Sequence, residues 1–388
     1  MQHNDVKRKC SIETKCGGCQ YLGIPYPEQL KKKELEIEKY LSKYVKPDKI
    51  IGMDNPYFYR NKVTATFGRK KDGTIYSGIY EEKSHNILQH GKCYLENELA
   101  QDIIAEVTKM VKSFKWTVYS ERSGFGLVRH LMVRTAHASG EVMVILVTTS
   151  HILPSAKNFS KALKAKFPQI TTIIQNVNDK NTTMVLGNRD IVLYGKGFIE
   201  DVLCGCRFKL SPQSFYQINS VQTELLYNKA MEYAALTERD TVLDTYCGIG
   251  TIGIIAAKEA GKVIGVELNK EAVKDATVNA DKNSLKNIKF YNADATKFML
   301  EASESDLKPT VVFMDPPRSG STEEFLDALI RMKPERIVYI SCGPESLKRD
   351  LQYITRKSRY QVRKAVAVDM FPMTTHVETV VLLSKKDR

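Results

Sequence analysis

The hydrophobic rhythm of the chain changes twice. Between Tyr26 and Leu41, Leu30, Leu35, Ile37 and Leu41 recur among many charges, and this pattern predicts a helix. Pro47 and the run Asp54-Asn55-Pro56 predict a loop. From Tyr57 to Leu88 alternation takes over, with Asp72-Gly73 as a hairpin turn that pushes Lys70 and Lys71 outward. A helix is predicted from about Glu98 to Phe114, strands at Leu127–Arg134 and Val142–Thr148, and a helix over Ser155–Phe167. Past residue 239 the pattern becomes strand, helix, strand, helix, as in a doubly wound parallel sheet. Composition shifts near residue 200, and no internal repeat or low-complexity linker appears. The predicted division is a segment at 1–60, an α+β domain at 61–205 and an α/β domain at 206–388.

The chemistry gathers at the ends of the predicted C-terminal strands. Open α/β sheets bind ligands along that edge. Thr241–Thr245 runs into YCGIGTIG, where Gly248 and Gly250 open a helix. G-x-G alone is a weak signal. The next strand ends in Glu267, placed to accept from two ribose hydroxyls. Ile288–Tyr291 leads to Asp294, placed to accept from an adenine amine, and Thr310–Met314 leads to Asp315. Acidic or glycine-bearing ends in this order suit S-adenosylmethionine better than a dinucleotide, because no phosphate needs neutralising. The β-branched run Ile337–Ile340 stops at Ser341-Cys342-Gly343-Pro344, with a helix from about Glu345. Cys342 therefore sits at a strand end beside a helix amino terminus, which favours thiolate, or it is a buried structural cysteine. Ala365–Val368 and Val377–Leu383 read as a hairpin at the sheet edge, with Glu378 able to point back toward Cys342 or to stand as an exposed strand-end acid.

Charge and cysteines extend the picture. Residues 1–200 hold 31 Lys and Arg against 20 Asp and Glu, net +11, whereas residues 201–388 hold 27 against 25, net +2. The surplus shows as Lys7-Arg8-Lys9, Lys31-Lys32-Lys33 and Arg69-Lys70-Lys71, near Tyr21, Tyr26, Tyr57, Phe58, Tyr59 and Phe67. Basic runs beside aromatics suit a nucleic-acid backbone and stacked bases, or a solvated basic face. Arg129, His130 and Arg134 are candidates for a phosphate site, with a structural role for His130 as the other reading. Cys10, Cys16 and Cys19 have C-x5-C-x2-C spacing, and Cys93 or His90 is the candidate fourth ligand of a zinc ion or an iron–sulfur cluster. Cys204 and Cys206 read as strand or turn residues. No apolar run is long enough to span a membrane and no secretory signal opens the chain, so a cytoplasmic protein without an obligate protein partner is expected.

Taken together, C-x5-C-G-G-C, SPQSFYQIN, LDTYCGIGTIG, DPPRSG, YISCGP and DMFPMTTHVE resemble the RNA uridine-5-methyltransferase family, in the iron–sulfur branch that modifies 23S ribosomal RNA. The resemblance covers nearly the whole chain. It implies a Rossmann-like class I S-adenosylmethionine methyltransferase domain, an RNA-binding central domain and an N-terminal iron–sulfur segment. It implies that Cys10, Cys16, Cys19 and Cys93 hold a [4Fe–4S] cluster, and that Gln217, Tyr246, Glu267, Asp294 and Asp315 contact S-adenosylmethionine. It makes Cys342 the nucleophile and Glu378 the base, with Phe215 and Asp315 helping to hold the target base. Many members carry a TRAM-type β-barrel before the first cysteine; nine residues precede Cys10 here, so RNA affinity is expected from the cluster region and the central domain. The tRNA-specific branch lacks the cluster cysteines, which favours ribosomal RNA over a tRNA substrate. An RNA cytosine-5-methyltransferase would carry a second cysteine where this chain reads Asp315-Pro316-Pro317-Arg318. A metal-bound RNA-binding protein with a decayed catalytic domain has no need of intact Cys342, Glu267, Asp315 and Glu378.

Overall fold

A computed structural model describes residues 9–385, so Lys7 and Arg8 of the first basic run lie outside the described residues. The helix Tyr26–Leu41 forms where the pattern places it, with Pro27 in its first turn. Its inward stripe is not the apolar one the sequence suggests. The buried positions are Gln29, Lys33, Ile37 and Leu41, each one turn from the next, while Leu35 is 56% exposed.

The central sheet has seven strands. In order across the sheet they are Ile87–Leu88, Ile75–Tyr80, Lys62–Arg69, Val128–Thr135, Val142–Thr148, Ile170–Val177 and Arg189–Gly195. The turn at Asp72-Gly73 joins Lys62–Arg69 to Ile75–Tyr80 as expected. Val142–Thr148 is buried at every position because both of its faces are covered. Val142, Val144 and Leu146 pack under the helix Glu98–Ser113. Met143 and Ile145 turn the other way, onto the hairpin Ile199–Leu203/Cys206–Leu210 and the C-terminal core. The middle and C-terminal regions thus share a core rather than meeting across a linker. Cys206 is buried in that hairpin and Cys204 stands in its turn, in agreement with the strand-or-turn reading.

The C-terminal sheet has eight strands. Their order is Asp48–Ile51, Tyr360–Val368, Glu378–Lys385, Arg336–Ser341, Val311–Met314, Thr241–Asp244, Lys262–Glu267 and Ile288–Asn292. Five run parallel from Arg336–Ser341 to Ile288–Asn292, and Glu378–Lys385 lies antiparallel between Arg336–Ser341 and Tyr360–Val368. That strand is therefore internal, not at the edge. The edge is Asp48–Ile51, which comes from the N-terminal segment and pairs parallel with Tyr360–Val368. Ile37 and Leu41 join the core under the same sheet, so the helix and strand between residues 26 and 51 are built onto the C-terminal domain. Strand order reverses between Thr241–Asp244 and Val311–Met314, and such a reversal opens a crevice at the carboxyl ends.

Candidate active site

The crevice is built from strand ends. Asp244 ends its strand fully buried, and its Oδ2 accepts from the Gly253 amide at 2.9 Å while Oδ1 has no partner among the described residues. The sequence reading missed this residue, although it lies two positions before Tyr246. Burial pushes its carboxyl up to about 7, and the neighbouring Asp315 and Glu267 add to the shift. Burial likewise pushes Asp315 up to about 7. Glu267 accepts from the amides of Gly248 at 3.1 Å and Asn269 at 2.8 Å, which fixes its carboxylate at the turn. Gly248 has φ +54°, and a Cβ there would meet no atom within 4 Å, so the turn opens onto free space. Tyr246 rests on Phe325 with ring centroids 5.6 Å apart and hydrogen-bonds Ser321 at 3.3 Å. Asp294 caps the helix Ala295–Ser303 through the Lys297 amide at 3.0 Å. Gln217 lies against the buried Tyr227 hydroxyl, whose titration in turn feels Asp315 and Asp244. Carboxyls gathered at the ends of adjacent strands, beside the open turn at Gly248, suit a ligand that brings positive charge, as a sulfonium with an α-amino group does.

Cys342 and Glu378 meet through strand register. Ser341 pairs with Thr379 in the antiparallel ladder, so the next residue outward on one strand faces the next on the other. Cys342 precedes the helix Pro344–Lys357 and lines a cavity of about 570 Å³ with Arg318, Ser319, Glu345 and His376. Its thiol is pushed up to about 11, first by burial, then by Glu378 and Asp315, with Arg318 opposing. The helix terminus alone favours thiolate, but burial first, and then two carboxyls arriving from other strands, reverse that expectation in the ligand-free cleft. Glu378 is 4% exposed and its carboxyl stands well above the usual range, through burial and the Asp315 charge. Arg318 lies 3.5 Å from the His376 ring, and both border the cavity. Phe215 is 65% exposed on the loop that also carries Gln217.

Cys10, Cys16, Cys19 and Cys93 line one cavity of about 400 Å³, together with Arg60 and His90, and none is in a disulfide. Cys19 is pushed up to about 12 by burial and by the charges of Cys93, Cys16 and Cys10; Cys93 is pushed up to about 11, chiefly by burial. Such thiols ionise together only against a cation. Among the described residues no three such groups converge as a single bound ion requires, and the thiols stand around a space instead. Four thiols around one cavity are the donor type that zinc sites and iron–sulfur clusters share.

The candidate phosphate site does not form. Arg134 turns inward, and its Nη1 donates to the carbonyls of Ser211 at 2.8 Å, Pro212 at 3.3 Å and Ser214 at 2.9 Å. Arg129 donates to the carbonyls of Asn178 at 2.9 Å and Lys180 at 2.7 Å, with its guanidinium 4.5 Å from the Tyr119 ring centre. His130 pairs with Thr66 at 3.1 Å, and burial pulls its titration down to about 4, so the ring is neutral. Backbone carbonyls take up Nη1 of both arginines and a hydroxyl meets the His130 ring, while Arg129 Nε is buried without a partner among the described residues.

Comparison with known proteins bears on the whole chain. The family described as tRNA (Uracil-5-)-methyltransferase matches residues 25–386. The chain is 40% identical over 385 residues to an uncharacterized RNA methyltransferase of Clostridium tetani, covering 98% of this chain and 83% of that one. It is 41% identical over 388 residues to an uncharacterized RNA methyltransferase of Staphylococcus aureus, covering 99% of this chain and 85% of that one. Among solved structures, it resembles the Pyrococcus abyssi tRNA (uracil-54, C5)-methyltransferase in complex with S-adenosyl-L-homocysteine. The TM-score is 0.78 at 28% identity, covering 95% of this chain and 86% of that one.

Proposed function

We propose that this chain, which belongs to the tRNA (uracil-5-)-methyltransferase family and is an S-adenosylmethionine-dependent RNA methyltransferase, methylates carbon 5 of a uridine in 23S ribosomal RNA through a covalent Cys342–uracil adduct. The observation that carries the reading is the ladder register that sets the buried Glu378 opposite Cys342, whose thiol lines the cavity. Carbon 5 of uracil is too weak a nucleophile to accept a methyl group unaided. The Cys342 thiolate adds to carbon 6, and the displaced π electrons become an enolate whose density reaches carbon 5. S-adenosylmethionine, when bound, supplies both the methyl group that carbon 5 accepts and a sulfonium positive charge. Against a positive charge in the cleft, the Cys342 thiol and the Glu378 carboxyl both ionise more readily than in the ligand-free protein. Glu378 then takes the carbon 5 proton, the C–H electrons restore the ring double bond, and the Cys342 thiolate leaves. Gln217, Tyr246, Glu267, Asp294 and Asp315 would hold the methyl donor, and the target uridine must leave its stack to reach the cavity.

Four cysteines lining one cavity are the support for a [4Fe–4S] cluster and with it the ribosomal substrate. Anaerobic purification should then give a brown protein that Cys16→Ala bleaches. The tRNA specificity of the Pyrococcus abyssi relative supports tRNA as the second reading. RNA carrying 5-fluorouridine at the target should trap the enzyme, with the methyl donor present, as a complex that survives denaturing gels and is absent in Cys342→Ser. Absence of that complex in the wild type sinks the mechanism. Mapping 5-methyluridine in 23S RNA and tRNA, with and without the gene, decides between the substrates.

A further inference from the structure

Residues 369–377 connect the two C-terminal strands, bring His376 to the cavity and deliver Glu378 at the start of its strand. This connection is strained. Met373 has φ +67°, a left-handed backbone that a non-glycine residue holds only when its surroundings impose it. The surroundings come from the other end of the chain. Gln29, buried on the helix Tyr26–Leu41, accepts from the Met373 amide at 3.0 Å and reaches its sulfur at 3.1 Å. The Tyr21 amide donates to the Met373 carbonyl at 3.0 Å, and the Tyr59 hydroxyl to the Pro372 carbonyl at 3.0 Å. Lys33, wholly buried, donates to the Phe371 carbonyl at 3.1 Å and to Asp369 Oδ1 at 2.6 Å, and Tyr26 donates to Asp369 Oδ2 at 2.8 Å. A buried ion pair is a weak stabiliser compared with packed apolar groups, so its use here points to a defined geometry rather than to strength.

We propose that Lys33, Gln29 and Tyr59 are positioning residues for catalysis: they hold residues 369–377 in the strained form that aims the Glu378 carboxylate at the proton it removes. The proposal rests on the reading of Glu378 as the base. It also gives the N-terminal segment a second task, because Tyr21, Gln29, Lys33 and Tyr59 follow the cysteines Cys10, Cys16 and Cys19 on one stretch of chain. If the loop relaxes, Cys342 addition and methyl transfer still occur, and only the last proton is left in place.

The test uses the full protein with unmodified target RNA and radiolabelled methyl donor. Lys33→Met should lower kcat by about 10- to 100-fold, leave the KM for the methyl donor within about twofold, and accumulate a labelled protein–RNA complex on denaturing gels. Tyr59→Phe, which removes one hydroxyl, should do the same to a smaller degree. A fall in kcat without the labelled complex overturns the proposal, as does unchanged turnover in both variants. If Lys33→Met loses donor binding and its melting transition, it has failed to fold and Tyr59→Phe decides alone. The wild type on 5-fluorouridine RNA separates two failures: no trapped complex removes the base itself, whereas a trapped wild type with no accumulation in the variants removes only the positioning.

Discussion

Buried charge is handled in opposite ways in the two sheets. In the central sheet, Arg134 is 3% exposed and spends its Nη1 on three backbone carbonyls, and His130 is neutral and paired with Thr66. At the carboxyl edge of the C-terminal sheet, Asp244 keeps one oxygen without a partner among the described residues, burial raises Asp315 to about 7, and burial raises the Glu378 carboxyl well above the usual range. A buried charge answered by the chain's own backbone holds a scaffold in register. One left unanswered at a crevice of strand ends, as at Asp244, is placed to receive something that is not part of the chain. Sequence cannot separate the two, because Arg134 and Asp315 both stand next to β-rich runs.

Replacing the sulfur is the largest break available. Cys342→Ala removes the proposed nucleophile but leaves Asp244, Glu267 and Asp315 in place. Methylation should fall by more than about 10⁴-fold while the affinity for S-adenosylmethionine, measured by calorimetry, stays within about twofold. If donor binding collapses as well, the carboxyls do not form a site separate from the thiol, and the contrast between the sheets loses its receptor.

A pH titration probes the unanswered carboxyls directly. Asp244 and Asp315 each stand at about 7, raised from the usual carboxyl range by burial, so the ligand-free protein carries protons there below neutrality. A cationic donor favours the ionised forms and expels those protons. Affinity for S-adenosylmethionine should therefore rise from pH 6 to pH 8, by up to about tenfold per unit for each proton released, and flatten above. Calorimetry in two buffers of different ionisation enthalpy counts the protons. A flat profile would mean that both acids are already ionised in the free protein.

Legibility followed locality. The extent of helix Tyr26–Leu41, though not its inward stripe, and the fully buried strand Val142–Thr148 are readable because their own residues mark them. Glu267, Asp315 and Cys342 were readable because parallel strands are apolar runs that stop abruptly where chemistry begins. Gln29 and Lys33 were not, since in sequence they look solvated, and the partner of Lys33 lies 336 residues away. The raised Cys342 thiol is hidden for the same reason: its helix is adjacent in the chain, but the burial around it, and then Glu378 and Asp315, come from other strands. The insertion of Glu378–Lys385 inside the sheet, with Asp48–Ile51 at the edge, is likewise a fact of pairing that no local pattern encodes.

A smaller effect separates scaffold from receptor on the cationic side. Arg134→Met keeps the length of the side chain and strips a donor from the carbonyls of Ser211, Pro212 and Ser214. The cost to stability should be about 2–4 kcal/mol, seen as a lower urea midpoint. RNA affinity of the folded fraction should be unchanged. Weaker RNA binding with an unaltered midpoint would return Arg134 to the role of a phosphate ligand.

The smallest expected effect concerns charge that solvent already answers. Lys70 and Lys71 are exposed at the tip between Lys62–Arg69 and Ile75–Tyr80, and Lys70 Nζ stands 5.9 Å from the Tyr76 ring centre. Because water screens these ammonium groups in the free protein, removing them leaves nothing buried and unsatisfied, and the fold should not notice. Their only available work is on a partner's backbone, where each neutralised phosphate releases a counterion. Lys70→Ala with Lys71→Ala should then weaken RNA binding a few-fold at low salt. The slope of log affinity against log salt should shrink by about 0.7 for each phosphate of single-stranded RNA that is no longer neutralised. Turnover at saturating RNA should be unchanged, since neither lysine lines the Cys342 cavity. An unaltered slope would show that this tip does not meet RNA, and the basic surplus of the first 200 residues would have to act through another face.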